Sequence, residues 1–412
     1  MATSLLLKFR RVLFLAVLAL LLVSFQNCGQ AFQVSRFESA AALISATTPA
    51  PQKKTRDPFF GIAVDIIWEN VGPSDVTAAV KLLSDLGVGT IRMPIRWLVI
   101  QDPGADCRAE NLSPRPSNIA IYQSFIDQLP SDVEVIAYLE TPPDSCKALY
   151  ISDPTAFAES YASYVKLAVS TFKTRVHTWQ IWNEPNNNPF FPQPANTTIF
   201  TASDFAKYIY KPGVSAIQSA DPKAVIAGSS LALDGTIGFG TPQSFMPWNS
   251  PTIPQYVIPN FLDDFLKAST GFVSNIDIHP YTFGYGPNGS DLDAYDWIYG
   301  PNGTVATLKA NGIQSMPLYW SETGITLAEA GSEVAQATYL TQLMTEATRA
   351  REDANFPLKS VCWFGLRDSI NPNAPNPYTD TAGYGLYDNV AKKPRAAYFA
   401  YQAFIKAHQR LN

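Results

Sequence analysis

From residue 58 onward, short apolar runs of strand length alternate with longer stretches in which apolar positions recur every three or four residues. The strand-like runs fall at 59–64, 90–93, 134–139, 178–182, 224–228, 276–279, 318–321 and 361–364. Stretches such as 73–87, 153–172 and 331–351 lie between them and read as helices; Ser74 is placed to cap the first, and Gly87 follows its last apolar position. Repeated strand–helix units imply a parallel sheet, and eight of them in about 350 residues fit an α/β fold of the closed (β/α)8 type, the TIM barrel. An open doubly wound sheet fits less well, because the first strand, FFGIAV, is followed by no glycine-rich phosphate loop. The last helical stretch, AAYFAYQAFIKA, runs almost to residue 412, so one domain is expected over 58–412.

The first residues follow a different pattern. Lys8, Arg10 and Arg11 precede an apolar stretch at 12–23 that is short for a bilayer span, so residues 1–28 read as an export signal. Cys28 stands just behind it, where bacterial lipoprotein precursors carry the cysteine that becomes lipidated. Gln26 and Asn27 replace the small residues usual there, which keeps open ordinary cleavage and secretion. Residues 29–57, rich in Ala, Ser, Thr and Pro and then basic, read as a linker.

Composition narrows the function classes. With 46% hydrophobic residues and 16% charged, the chain has ample material for a core, and a net charge of −5 without basic runs offers no footprint for nucleic acid. Of four cysteines, Cys362 lies in the apolar run SVCWFGL and is expected as a buried small hydrophobe. Cys107 and Cys146 follow the second and third strands, whose loops are neighbours in a barrel, so an exported protein could bridge them; two free thiols are the alternative. No cysteine spacing suits zinc, and with His177, His279 and His408 the only histidines, neither a metal nor a cofactor is expected.

The candidate chemistry sits at strand ends. In a TIM barrel these line the active site, and here they carry Arg92 on strand two, Asn183 and Glu184 on strand four, His279 and Tyr281 on strand six, Glu322 on strand seven and Trp363 on strand eight. The two runs HTWQIWNEPN and MPLYWSETGIT each end a buried strand on a glutamate. Two carboxyl groups delivered into one cleft are the minimal equipment for cleaving a glycosidic bond, and a retaining mechanism places them roughly 5 to 5.5 Å apart.

WNEPN and WSETG resemble the retaining glycoside hydrolases of clan A, which carry Asn-Glu after strand four and a glutamate after strand seven. The resemblance spans about 59–404. It implies Glu184 as acid/base and Glu322 as nucleophile, with Asn183 on the sugar 2-hydroxyl, Tyr281 beside the nucleophile and Trp363 as a platform beneath the cleaved sugar. Arg92 and Tyr281 are then the natural partners of an ionised Glu322. Strand three offers Tyr138 and Glu140 where family 5 usually has a histidine, so family 39 looks somewhat closer, although its usual accessory β-sandwich is missing. Glu140 is a third strand-end carboxylate, a sugar ligand or ion-pair partner, with replacement of either assigned catalytic residue as the alternative. Trp68, Trp97, Phe190, Phe191, Trp248 and Trp297 are candidate sugar-stacking rings, and 229–256 is too rich in Gly and Pro for a helix and is expected to wall the cleft. The implied substrate is a β-linked oligo- or polysaccharide. A non-catalytic carbohydrate-binding barrel and a transglycosylase of the cell envelope are the alternatives.

Overall fold

A computed structural model describes residues 56–67, 75–186, 201–234, 261–281, 304–312, 316–352, 358–368, 383–389 and 391–410. The export signal, Cys28, the linker up to residue 55, Ser74, Trp68, Phe190, Phe191, Trp248, Trp297 and most of 229–256 lie outside them.

The core of the fold is a parallel sheet of β1 (Phe60–Ala63), β2 (Thr90–Pro94), β3 (Glu134–Leu139), β4 (Thr178–Ile181), β5 (Val225–Ile226), β6 (Ser230–Asp234), β7 (Ile276–Tyr281), β8 (Leu318–Thr323) and β9 (Leu358–Phe364). Their order is β5-β4-β3-β2-β1-β9-β8-β7-β6. The two ends of this series, β5 and β6, are halves of one stretch separated by three residues. β5 pairs with β4 and β6 with β7, and further bonds from Ile181 N to Gly228 O and Glu184 N to Ser230 O continue the β4 seam. The sheet therefore closes on itself as a (β/α)8 barrel. Between the halves, Gly228 adopts φ +89° with the Asn275 carbonyl 2.5 Å from where a Cβ would stand, so only glycine fits the bend.

The strands are buried along nearly their whole length, as expected when side chains fill the barrel on one face and meet helices on the other. The helices include α1 (Val76–Leu86), α2 (Pro116–Gln128), α3 (Pro154–Phe172), α4 (Lys211–Ala220), α5 (Phe261–Ala268), α6 (Thr304–Ala310), α7 (Glu333–Arg351) and α8 (Ala396–His408). In α1 the buried residues Val76, Ala79, Val80, Leu83 and Leu86 form one stripe, and Gly87 at φ 85° ends the helix by donating to the Leu83 carbonyl. α3 begins at Pro154, with the Asp153 side chain capping Ala156 N, and Ser332 caps α7 through Ala335 N.

Trp97 belongs to this packing, not to a sugar site. It is fully buried and stacks on Tyr164 with ring centroids 5.1 Å apart. Its short helix, Trp97–Ile100, buries both Trp97 and Ile100, so a ring expected at the cleft is used as core.

Cys107 and Cys146 form a disulfide with Cα atoms 5.0 Å apart, closing a loop of 39 residues between the segments after β2 and β3. Cys362 is a buried free thiol. A Cys107→Ser/Cys146→Ser variant is expected to lose about 2–4 kcal/mol of stability, measured as a lower urea midpoint, with a steeper slope because the released chain exposes more surface on unfolding.

Candidate active site

Arg92 stands inside the barrel, fully buried, and organises the centre of the site. Its Nε donates to Gln180 Oε1 (2.9 Å), Nη1 to Glu322 Oε2 (2.6 Å), and Nη2 to Asn183 Oδ1 (2.6 Å) and Ser230 Oγ (3.0 Å). Its flat face lies 3.9 Å from the Tyr138 ring centre. Burial alone would lower its pKa, yet with Glu322, Tyr138 and Asp277 beside it the guanidinium is held above the ordinary arginine value. Because Arg92 offers only donors, it also fixes the Asn183 amide, whose oxygen must face Arg92 and whose NH2 points elsewhere.

Glu184 and Asn183 reach the site through a sharp turn after β4. Trp182 (φ 68°) and Glu184 (φ 46°) both adopt left-handed backbone that a side-chain-bearing residue rarely visits, at a cost of about 1–3 kcal/mol each. The surroundings hold them there: Trp182 N donates to Leu139 O, Glu184 N to Ser230 O, and the Asn186 amide makes two bonds with the Ala232 backbone, at 2.8 and 2.9 Å. Glu184 Oε1 lies 2.7 Å from His279 Nδ1.

Glu322 arrives by a different device. Along β8, Ser321 and Glu322 are neighbours, and regular alternation would send them to opposite faces. Between Trp320 and Thr323, however, β8 spends three residues where β9 spends two, from Val361 to Trp363. This bulge turns both side chains inward. Glu322 then accepts from Arg92 on one oxygen and from the Tyr281 hydroxyl (2.7 Å) on the other. Burial and the adjacent Glu322 hold the Tyr281 pKa well above the usual phenol value, so it stays a donor. One carboxyl oxygen of Glu184, one of Glu322 and Nδ1 of His279 lie within 4.8 Å of one another. The trio has the donor types of a metal site, but Arg92 already supplies the positive charge beside it and each of these atoms faces a protein partner.

On β7, Asp277, His279 and Tyr281 share the inward face, two residues apart. Burial lowers the His279 pKa to about 3, against the pull of Glu322, so the imidazole is neutral. Burial pushes the Asp277 carboxyl up to about 7, against the pull of Arg92 and the hydrogen bonds from Ser321.

Trp363 departs from its expected role. Its ring is fully buried on the helix side of β9, edge-on to Tyr339 of α7, with Nε1 donating to Tyr384 O. The next residue, Phe364, points the other way and is partly exposed; it packs against Tyr384 and Tyr281 with ring centroids 5.3 and 6.4 Å away. A shift of one residue along a strand exchanges its faces, so the apolar wall presented here is Phe364 with Tyr384.

Glu140 belongs to a second cluster beside the first. Arg96 pairs with Asp65, donates to Thr141 Oγ1 (2.8 Å) and lies 3.6 Å from Glu140. Burial raises the Glu140 pKa to about 7 despite Arg96 and Arg92. Gln180, Asp277, Ser321, Ser230 and Asn186 were not singled out from sequence. For all but Asn186, which lies in the turn after β4, the signal was an uncharged polar or acidic residue inside an otherwise apolar parallel strand, as in TWQI and IDIH.

No family model matches this sequence. Solved structures do match its fold. A glycoside hydrolase family 39 enzyme from Bacteroides cellulosilyticus is 15% identical with TM-score 0.53, covering 86% of this chain and 64% of its own. A monomeric β-xylosidase from Caulobacter crescentus is 15% identical with TM-score 0.58, covering 86% and 69%. A glycoside hydrolase family 5 enzyme from Streptomyces cattleya, solved with Manβ1-4GlcNAc, is 14% identical with TM-score 0.56, covering 85% and 80%. The fold is that of glycoside hydrolase families 39 and 5. The chain spans just under two thirds of two of these relatives, the Bacteroides enzyme (64%) and an exo-β-1,4-mannosidase from an Opitutaceae bacterium (62%).

Replacing Arg92 by Met leaves Glu322 without its cation and Gln180, Asn183 and Ser230 without their donor. The expected cost is about 3–5 kcal/mol, read from urea unfolding at pH 7. Glu140 gives a pH test. Its folded pKa is raised above its unfolded value of 4.5, so the folded state binds the extra proton and stability falls as pH rises from about 4.5 to about 7. Glu140→Gln should flatten that decline by up to roughly 1 kcal/mol per pH unit in the window, measured by urea titrations at a series of pH values.

Proposed function

We propose that the protein is a retaining glycoside hydrolase that cleaves β-glycosidic bonds of oligo- or polysaccharides, with Glu322 as nucleophile and Glu184 as acid/base. The observation that carries this reading is the approach of the two carboxyl groups to within 4.8 Å at the strand ends of a barrel, close to the spacing of a double displacement. Both oxygens of Glu322 accept hydrogen bonds, from Arg92 and Tyr281, which suits an ionised nucleophile held in one orientation. Glu184, against a neutral histidine, is placed to give a proton to the departing sugar oxygen and later to take one from water. Asn183, with its NH2 directed by Arg92, is the partner for the 2-hydroxyl, and Phe364 with Tyr384 forms the apolar wall for the sugar face. The neighbours named for xylosidase and mannosidase activity support a β-linked pentose or hexose substrate. Export through residues 1–28, followed by lipidation at Cys28 or release, is part of the same proposal.

The test is turnover of aryl β-glycosides and polysaccharides. Glu322→Gln should lose at least about 10³-fold in kcat on every substrate. Glu184→Gln should lose about 10²- to 10⁴-fold in kcat/KM on substrates with poor leaving groups and far less in kcat/KM on dinitrophenyl glycosides, whose leaving group needs no proton. Inversion at the anomeric carbon, or full activity in Glu322→Gln, would overturn the assignment. Tight sugar binding without any turnover would leave a carbohydrate-binding barrel.

A further inference from the structure

A chain of short contacts leads away from Glu184 into the barrel. His279 Nδ1 lies 2.7 Å from Glu184 Oε1, and His279 Nε2 lies 3.1 Å from Ser321 Oγ. Ser321 Oγ donates to Asp277 Oδ2 at 2.5 Å, and Ser321 N donates to Asp277 Oδ1 at 3.1 Å. Asp277, His279 and Ser321 are all completely buried. The proposed hydrolysis needs only Glu184 and Glu322, so a fully buried carboxylate at the far end of this chain calls for its own explanation.

The direction of the bonds follows from elimination. Arg92 donates to Gln180 Oε1, so the Gln180 NH2 faces Asp277 and donates to Oδ2. Asp277 is thus an acceptor from Gln180, from the Ser321 backbone and from the Ser321 hydroxyl. With its hydroxyl hydrogen turned to Asp277, Ser321 accepts from His279 Nε2–H. A neutral imidazole protonated on Nε2 presents a lone pair on Nδ1, and the group facing that lone pair at hydrogen-bond distance must then be a protonated Glu184.

We propose that Glu184, His279, Ser321 and Asp277 form a proton relay in which Asp277, acting through the two residues between, positions the proton on Glu184. The relay balances when each hydrogen moves one step. Glu184 passes its proton to His279 Nδ1, His279 Nε2–H passes to Ser321 Oγ, and the Ser321 hydroxyl hydrogen passes to Asp277 Oδ2. Glu184 is left ionised and Asp277 neutral, His279 has changed tautomer without gaining charge, and no proton has been exchanged with solvent. Asp277, held up to about 7 by burial, has an affinity for the proton in the range where either end can hold it. The charged and titratable groups around the relay are Arg92 from β2, Glu322 and Tyr319 from β8, Cys362 from β9, Tyr281 from β7, and Tyr384 beyond β9. Of these Arg92 carries a fixed charge and bonds Glu322, and both residues stay in place in the variants below.

This inference rests on the assignment of Glu184 as acid/base, and its first test needs no turnover. The chain has three histidines, so selective ¹⁵N-histidine labelling gives three pairs of ring signals, and His279→Gln identifies one pair. At neutral pH the wild-type His279 signal should be that of a neutral ring protonated on Nε2. In Ser321→Ala the acceptor for Nε2–H is gone, and the ring should change to the Nδ1–H tautomer, donating to an ionised Glu184. An imidazolium in the wild type, or the same tautomer in both proteins, overturns the relay whatever the enzyme does. The second test is the pH profile of kcat/KM. The basic limb, where Glu184 loses its proton, should move to lower pH by about one unit in both Ser321→Ala and Asp277→Asn, while dinitrophenyl glycosides keep most of their rate. An unmoved limb with equal losses on all substrates would mean that Asp277 and Ser321 only hold the barrel together. Absence of turnover in the wild type would count against the hydrolase reading, with the tautomer result standing on its own.

Discussion

The site depends on one buried cation. Arg92 lies where the strands converge, and a guanidinium taken out of water is tolerated only when charge and hydrogen bonds surround it. Here they come from four different strands: Gln180 on β4, Ser230 on β6, Glu322 on β8 and Tyr138 on β3, with Asn183 from the turn after β4. Each of these residues also faces the cleft or leads to one that does. The same interaction therefore closes the interior of the barrel and sets the orientation of the groups that meet substrate. A lysine could not replace it, because a single ammonium cannot reach Gln180, Asn183 and Glu322 along three directions of one plane.

Two local irregularities finish what Arg92 begins. The left-handed residues Trp182 and Glu184 swing one carboxyl group into the cleft, and the bulge in β8 brings the other to meet it. A regular β8 would leave Glu322 facing the helices, and a regular continuation of β4 beyond Gln180 would turn Asn183 away from Arg92. Such departures from ideal geometry are stable because rigid neighbours hold them, notably the Asn186 clamp on β6 and the Asp277 bonds to Ser321.

The barrel was legible from sequence because its signal is long and periodic: eight apolar strands alternate with helical stretches, some of which carry end signals such as Gly87. The meeting of Arg92, Asn183, Glu184, His279, Tyr281 and Glu322 was legible because strand ends share one rim. What escaped depended on a single residue of register. Trp363 and Phe364 are adjacent aromatics at the end of one strand, and nothing in the order WF says which faces in. The split of strand five at Gly228 was equally hidden, since the run at 224–228 looks complete by itself. Gln180, Asp277 and Ser321 were passed over because interior polar residues become informative only once their partners on other strands are known. Trp97 misled for the same reason, being an aromatic near a strand end whose companions, Tyr164 and Phe157, lie on α3.

Both sulfurs of the Cys107–Cys146 bridge are completely shielded from water. Once the surrounding layers have settled, no external oxidant or thiol can reach them. The cross-link must therefore be made while this region is still open, so the redox conditions met by the nascent chain, not those met by the finished molecule, decide whether the molecule carries it.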